Sequence, residues 1–262
     1  MLFRSDEHGR EMHGSWGNMI DAEDAFARMG ADVMRWQYCS QPPDRNLLFG
    51  FGPAQEIKRR LLTLWNSAKF LADYGAIEAF EPDYADLTGG PDADLQPLDR
   101  WLVERTAQLV ADAREGYERW LTVDVTRAFD AYVDDLSNWY IRRSRRRFWE
   151  GDRVALRTLW FGIVQGLRVI SPVMPFLSEH LWQVLVRDVL PDVPTSVHLA
   201  GWPVARPPDV ALLEEVAELR SVVALGHQAR ASAGLKLRQP LPRIVRSEEH
   251  TSELQSRLHL VC

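Results

Sequence analysis

The sequence contains few cysteines, no long uninterrupted apolar run and no excess of positive charge. Its 262 residues include two cysteines, Cys39 and Cys262, and no C-x-x-C pair. This count argues against a disulfide framework and a zinc ribbon, and it is typical of a reducing compartment, so we expect a cytoplasmic protein. The first residues, MLFRSDEHGR, also lack the apolar stretch of a secretory signal peptide.

Charge and hydropathy set two further limits. The 31 Lys and Arg residues against 37 Asp and Glu residues give a formal net charge of −6. Because this excludes a general polycation, any nucleic-acid binding must depend on a local basic patch. The most apolar stretch, 156–186, is interrupted by charged residues and prolines, which predicts buried helices and no membrane span.

Apolar residues recur every three or four positions along most of the chain, which predicts an all-α bundle of about five or six helices. Helices are predicted over about 56–75, 98–119, 121–150 and 154–170, from Pro175 onward, and through Leu212, Val216, Leu219 and Val223. Residues 81–97 are acidic and rich in Gly and Pro, which predicts a surface loop, and SVHLAGWPV predicts an extended segment.

The one strong cationic cluster lies in LSNWYIRRSRRRFW, residues 136–149. Its five arginines are Arg142, Arg143, Arg145, Arg146 and Arg147, and aromatic residues lie among them. Guanidinium groups match phosphate geometry and aromatic planes stack on unpaired bases, so the cluster predicts an RNA contact. The alternative is structural: the arginines would complement the helix dipole and pair with Asp130, Asp134 and Asp135, and Trp139 would be a core residue.

A second candidate is the short polar run GREMHGSWGNMID, residues 9–21. Its composition fits two hypotheses, an ordinary linker and an altered nucleotide-binding loop. The run itself does not decide between them.

Seven segments, taken in order, resemble isoleucyl-tRNA synthetases. They are GREMHGSWGN, GADVMRW, LLFGFGPAQEIKRRLLTLWNSAKF, DRWLVER, LSNWYIRRSRRRFW, SPVMPFLSEHLW and SVHLAGWP, and they cover about residues 2–245. The resemblance implies a helical class I anticodon-binding domain over 51–245. Residues 1–50 would be the C-terminal edge of a Rossmann-like catalytic domain, with the ATP loop and a stem-contact helix. Residues 246–262 contain RSEEHTSELQS, which resembles a translated sequencing adapter, and we interpret them as an artefactual tail.

The same resemblance implies the ligands and the site residues. The partner would be isoleucine-specific tRNA, ATP would be a substrate, and the full-length protein would be a monomer with no membrane contact; no metal site is expected in this segment. The residues that would contact tRNA are Trp139, Arg142, Arg143, Arg146 and Arg147. The ATP loop, Lys-Met-Ser-Lys-Ser in its common form, corresponds to Glu11, Met12, His13, Gly14 and Ser15, so both lysines are replaced.

Several parts of such an enzyme are missing from the sequence. There is no H-x-G-H element, and none of the seven histidines forms such a pair. No editing domain or amino-acid pocket is present, so no intact catalytic residue is predicted and we expect a fragment of a longer ligase. The alternatives are a free-standing helical tRNA-binding module, the anticodon domain of a valyl- or leucyl-type synthetase, and a helical interaction domain whose arginines only pair with acids.

Overall fold

The computed structural model describes residues 4–91, 94–236 and 239, and the backbone of two strands, Ile244–Arg246 and Leu258–Leu260. The chain divides into two compact units, Met1–Pro208 and Asp209–Cys262. Of the predicted artefactual tail, 246–262, only Arg246 and the second of these strands lie within the described residues. The predicted domain division at residue 50 stays a prediction.

The first 50 residues contain a small parallel sheet joined by helices. Strand β1 (Arg4–Asp6) pairs in parallel with β2 (Leu47–Phe49). Helices α1 (Ala22–Met29) and α2 (Ala31–Cys39) form the crossover between the strands. A parallel pair requires such a crossover. The assignment of residues 1–50 to the edge of a Rossmann-like domain stays a prediction.

Most of the first unit is helical, which confirms the predicted helical fold. The helices are α3 (Phe51–Ile77), α4 (Tyr84–Thr88), α5 (Pro97–Glu118), α6 (Thr122–Asp134), α7 (Arg142–Trp149), α8 (Arg153–Ile170) and α9 (Pro175–Trp182). Most residues of α8 are buried, and it packs against α3, α5 and α9. Pro175 begins α9 as predicted, because its fixed φ suits the first helical turn.

Four details of the sequence prediction were wrong. The predicted loop 81–97 contains α4, which Asp83 caps by accepting from the amide of Ala85. The predicted extended segment forms a 3-10 turn, Val197–Leu199, capped by Ser196. The predicted helix 121–150 is interrupted by a π-helical segment, Asp135–Ile141, and the described residues contain ten α-helices, more than the five or six expected. The caps formed by Asp83 and Ser196 account for the first two differences, and the wide π turn accounts for the interrupted helix.

The described residues of the second unit form one long helix and a short antiparallel pair. Helix α10 (Val210–Ser232) begins after Asp209, whose side chain accepts from the amide of Leu212. The predicted apolar stripe lies on this helix, but no residue of α10 is buried. Strand β3 (Ile244–Arg246) pairs with β4 (Leu258–Leu260).

Candidate nucleic-acid interface

The π-helical segment Asp135–Ile141 determines where each arginine of α7 points. A π turn adds one residue to the helical repeat and shifts the residues that follow it around the helix axis. Its inward side is buried and includes Leu136, Tyr140 and Ile141. The five arginines therefore divide between a groove, the open surface and the interior.

Arg142 and Arg145 line a groove between α3 and the beginning of α7. The groove has a volume of about 530 Å³, and its walls are Asn66, Ser67, Phe70, Ser137, Asn138, Ile141, Arg142 and Arg145. Both arginines are exposed, and their spacing of three residues places them on one side of the helix. The groove thus presents two guanidinium groups and two side-chain amides beside an aromatic ring.

Three of these groove residues were missed by the sequence analysis. Arg145 was noticed only as a member of the cluster, and Asn66 and Asn138 were not singled out. The spacing of Asn138, Arg142 and Arg145 at intervals of four and three was a signal for a shared helix face. Asn66 lies 72 positions before Asn138 in the chain, and no local pattern connects them.

Trp139 and Arg143 form a stacked pair at the edge of the core. Trp139 is buried, with 8% of its surface exposed. The guanidinium carbon of Arg143 lies 3.5 Å from the centre of the Trp139 ring, a cation–π contact. The indole is therefore largely covered, whereas Arg143 is exposed.

Arg146 is exposed and pairs with Glu150, the residue that follows α7. Its Nε donates to Glu150 Oε1 at 2.7 Å, and 85% of its side chain is accessible. Exposed pairs at this spacing contribute little to stability, so this contact leaves the Arg146 guanidinium accessible.

Arg147 points in the opposite direction, into the bundle. Its Nη1 and Nη2 each donate to the carboxylate of Asp99 at 2.8 Å, and its Nε donates to Asp152 at 2.8 Å. The Arg147 side chain is 16% exposed and that of Asp99 is fully buried. Asp99 also accepts from the hydroxyl of Tyr140 and the amide of Gln96. These four residues and Asp152 form what we call the buried arginine network.

The network joins the beginnings of two helices. Asp99 completes a capping box at the start of α5, and Asp152 caps α8 by accepting from the amides of Val154 and Ala155. Burial disfavours the charge on Arg147, but the hydrogen bonds from its guanidinium to Asp99 and Asp152 raise its pKa. Arg147 does pair with acids, as the structural hypothesis predicts, but these acids follow or precede α7 in other segments.

The upstream acids Asp130, Asp134 and Asp135 have other hydrogen-bond partners in the structure. These are Arg60 for Asp130, Asn138 for Asp134 and Arg105 for Asp135. The Asp130–Arg60 contact joins α6 to α3. The Asp135–Arg105 contact joins the start of the π-helical segment to α5. Asp134 and Asn138 are four residues apart in the chain. RNA contact by the five residues named from the sequence stays a prediction, and Arg147 is the one whose hydrogen-bonding groups all face acids.

The candidate ATP loop, residues 9–18, is organised by two side chains. Asp6 accepts from the amides of His8 and Arg10, and Asn18 Nδ2 donates to Asp6 and to the carbonyl of Glu11. Asn18 Oδ1 accepts from the amide of His13 at 3.0 Å. The hydrogen bond from the Arg10 amide contributes most to the lowered pKa of Asp6. The loop therefore has a defined shape.

The residues that replace the common loop motif lie on its outer side. His13 lies 3.3 Å from the carboxylate of Glu11 and 4.4 Å, between ring centres, from Trp16. A 3-10 turn, Gly14–Trp16, follows, and no atom lies within 4 Å of a Cβ placed on Gly14. The loop contains no lysine.

A family model for the anticodon-binding domain of tRNA ligase matches residues 99–245, more than half of the chain. The chain belongs to this family. In the anticodon-binding domain so defined, Asp99 of the buried arginine network is the first matched residue, and the groove arginines lie within the match.

Similar proteins agree with this assignment. The chain is 39% identical over 257 residues to the isoleucine–tRNA ligase of Streptomyces avermitilis and 40% identical over 248 residues to that of Thermus thermophilus. These matches cover 97% and 90% of this chain but 24% and 23% of the relatives, so the chain spans about a quarter of their length. The agnB2 LeuRS of Agrobacterium radiobacter K84, solved as a ternary complex with tRNA and LeuAMS, shares the fold. Its TM-score is 0.59 at 17% identity, and the match covers 81% of this chain and 24% of that one.

Neither a metal centre nor a membrane span stands out in the described part of the anticodon-binding domain and its flanking segments. No three His, Cys, Asp or Glu side chains of the described residues are grouped as metal ligands. No helix among them is long and apolar enough to cross a bilayer.

Acidification is expected to weaken the cap of α8 in the anticodon-binding domain. Burial raises the pKa of Asp152, but hydrogen bonds from Arg147 and the α8 amides outweigh it, so the pKa is lowered. A lowered pKa stabilises the fold above the ordinary value of about 4, and this contribution is lost as the pH falls through the lowered pKa. Unfolding of wild type and Asp152→Asn as a function of pH tests this. The stability difference should shrink at low pH, and a constant difference would contradict the prediction.

Proposed function

We propose that this chain is part of an isoleucine–tRNA ligase and contacts isoleucine-specific tRNA through the groove beside α7. The observation that carries the proposal is the placement of Arg142 and Arg145 with Asn66 and Asn138 around one groove of a family anticodon-binding domain. Arg143 and Arg146 extend the same cationic surface on α7.

The chemistry of the groove suits single-stranded RNA. Guanidinium groups bind phosphate with two parallel hydrogen bonds, and side-chain amides can both donate to and accept from base edges. Sequence-specific RNA recognition mostly targets unpaired bases, such as those of an anticodon loop. Arg147, occupied by Asp99 and Asp152, would support this surface by fixing α7.

In the whole enzyme, ATP and isoleucine would form an adenylate, and the acyl group would then pass to the tRNA. Glu11, Met12, His13, Gly14 and Ser15 would form a degenerate ATP loop that shapes the phosphate site mainly through its backbone. Without an H-x-G-H element this chain alone would be inactive. The low cysteine count supports a cytoplasmic protein. A monomeric full-length enzyme follows from the resemblance to isoleucyl-tRNA synthetases.

The test is the salt dependence of tRNA binding. Arg142→Ala with Arg145→Ala should weaken binding about tenfold or more and reduce the slope of log affinity against log salt by about 1.4, since two phosphate contacts are lost and each contributes about 0.7 for a single strand. Arg114→Ala with Arg119→Ala is the matched control, because it removes two exposed arginines of α5 that pair with acids on their own helix. Equal effects of both variants, or none, would refute the groove as the contact surface.

A further inference from the structure

Helix α8 is contacted near both ends by arginines from other segments. Near its N-terminus, Arg147 of α7 donates to the capping residue Asp152 at 2.8 Å. Just beyond its C-terminus, Arg35 of α2 donates through Nη2 to the carbonyl of Pro172 at 2.7 Å and through Nε to that of Val173 at 3.1 Å. The helix thus connects the arginine cluster to the segment that follows the candidate ATP loop.

A second side chain of α2 contacts the beginning of α9, the helix that follows this turn. The carboxylate of Asp32 accepts from the amides of Phe176 and Leu177, in the first turn of α9, at 3.2 and 2.7 Å. Asp32 is an acid at the N-terminus of α9, where the first backbone amides lack partners within the helix. Arg35 is a cation beside the carbonyls that follow the C-terminus of α8, where positive charge is favourable. We call Asp32, Arg35 and the backbone of 172–177 the corner latch.

The corner latch acts on a helix that is already anchored. Trp36 of α2 is buried and meets Phe129 edge to face, with ring centres 5.9 Å apart. Gln37 Nε2 donates to the carbonyl of Gly50 at 3.2 Å. Packing therefore holds α2 in the core, while the corner latch joins it to the turn between α8 and α9.

We propose that Asp32 and Arg35 are positioning residues that set the separation between the segment carrying loop 9–18 and the arginine groove. This inference rests on the proposed function, because it requires a tRNA that contacts both regions. The 18 residues of α8 span about 27 Å between the cap that Arg147 contacts and the turn that Arg35 contacts. A ligand held at two places gains affinity only when the geometry lets it reach both, and loosening the position of α2 lowers that gain.

Asp32→Ala separates positioning from electrostatics. Removal of an acid strengthens RNA binding if charge alone matters, because it lowers repulsion of phosphate. Removal of the latch instead weakens binding of a ligand that contacts both regions. Asp24→Ala is the matched control, since it removes an exposed acid of α1 in the same segment, where Asp24 pairs with Arg28.

The experiment measures the affinity of the full chain for an isoleucine tRNA transcript and for its isolated anticodon stem-loop. Asp32→Ala should weaken transcript binding about fivefold to tenfold and leave stem-loop binding unchanged, whereas Asp24→Ala weakens neither. If Asp32→Ala does not fold, Arg35→Lys, which keeps the charge but not the two-carbonyl contact, replaces it with the same expectation.

Four results would overturn the inference. Equal effects of Asp32→Ala and Asp24→Ala would show that the latch has no special role. Parallel losses for transcript and stem-loop would indicate a general loss of structure. A wild-type chain that binds the stem-loop as tightly as the transcript would lack a second contact, which refutes the latch but leaves the proposed function intact. Binding of neither RNA by the wild type would refute the proposed function and the inference together.

Discussion

Arg147→Ala is expected to destabilise the first unit by about 3–5 kcal/mol, the range found when one partner of a buried ion pair is removed. The variant leaves the fully buried carboxylate of Asp99 without its bidentate partner and removes the link to Asp152. The amide of Gln96 and the hydroxyl of Tyr140 still donate to Asp99, but neither carries charge. Urea unfolding followed by circular dichroism measures the loss.

The neighbouring residue supplies the control. Arg146→Ala removes the same charge from the same turn of α7, but its pair with Glu150 is exposed, so the expected loss of stability is much smaller than that for Arg147→Ala. Similar costs for the two variants would contradict the buried arginine network. Asp99→Asn combined with Arg147→Met should cost less than the sum of the two single changes, because the charges are removed together.

Gly14→Lys in a full-length ligase that contains this segment is expected to raise the rate of adenylate formation about 10- to 100-fold. A restored charge-assisted contact with phosphate is worth roughly 1.5–3 kcal/mol, which corresponds to one to two decades of rate. The side chain has room, since a Cβ at this position meets nothing within 4 Å and the φ of Gly14 is not positive. ATP–pyrophosphate exchange measures the rate.

Two substitutions at the same position separate charge from shape. Gly14→Ala tests whether the loop needs glycine, and Gly14→Met adds length without charge; neither should raise the rate. An unchanged rate for Gly14→Lys would mean that another group in this lineage provides the cation that meets the phosphates.

Much of the fold follows from local patterns in the sequence. The stripe from Ile57 to Leu71 and the position of Pro175 predicted helices that the structure contains, because burial and a fixed φ act within one or two turns. The turn at Val197–Leu199 was missed because it depends on one cap from Ser196.

The site was only partly predictable, for a different reason. The arginine cluster is plain in the sequence, but the partner of Arg147 is Asp99, 48 positions away. The assignment of Arg142 and Arg145 to one groove depends on α3, which supplies Asn66 and Phe70 from a distant part of the chain. Such long-range pairs leave no periodic signal.

The π-helical segment Asp135–Ile141 has a consequence for comparing this protein with its relatives. A π turn is equivalent to a single-residue insertion in an α-helix, so relatives with a regular helix here should show a one-residue gap in an alignment. Loss of that residue would advance the register of α7 by about 100°, the rotation per residue of an α-helix. Arg147 would then turn away from Asp99, and a different arginine would enter the interior. The number of residues between Asp134 and Arg142, as much as their identity, therefore determines which arginines remain at the surface.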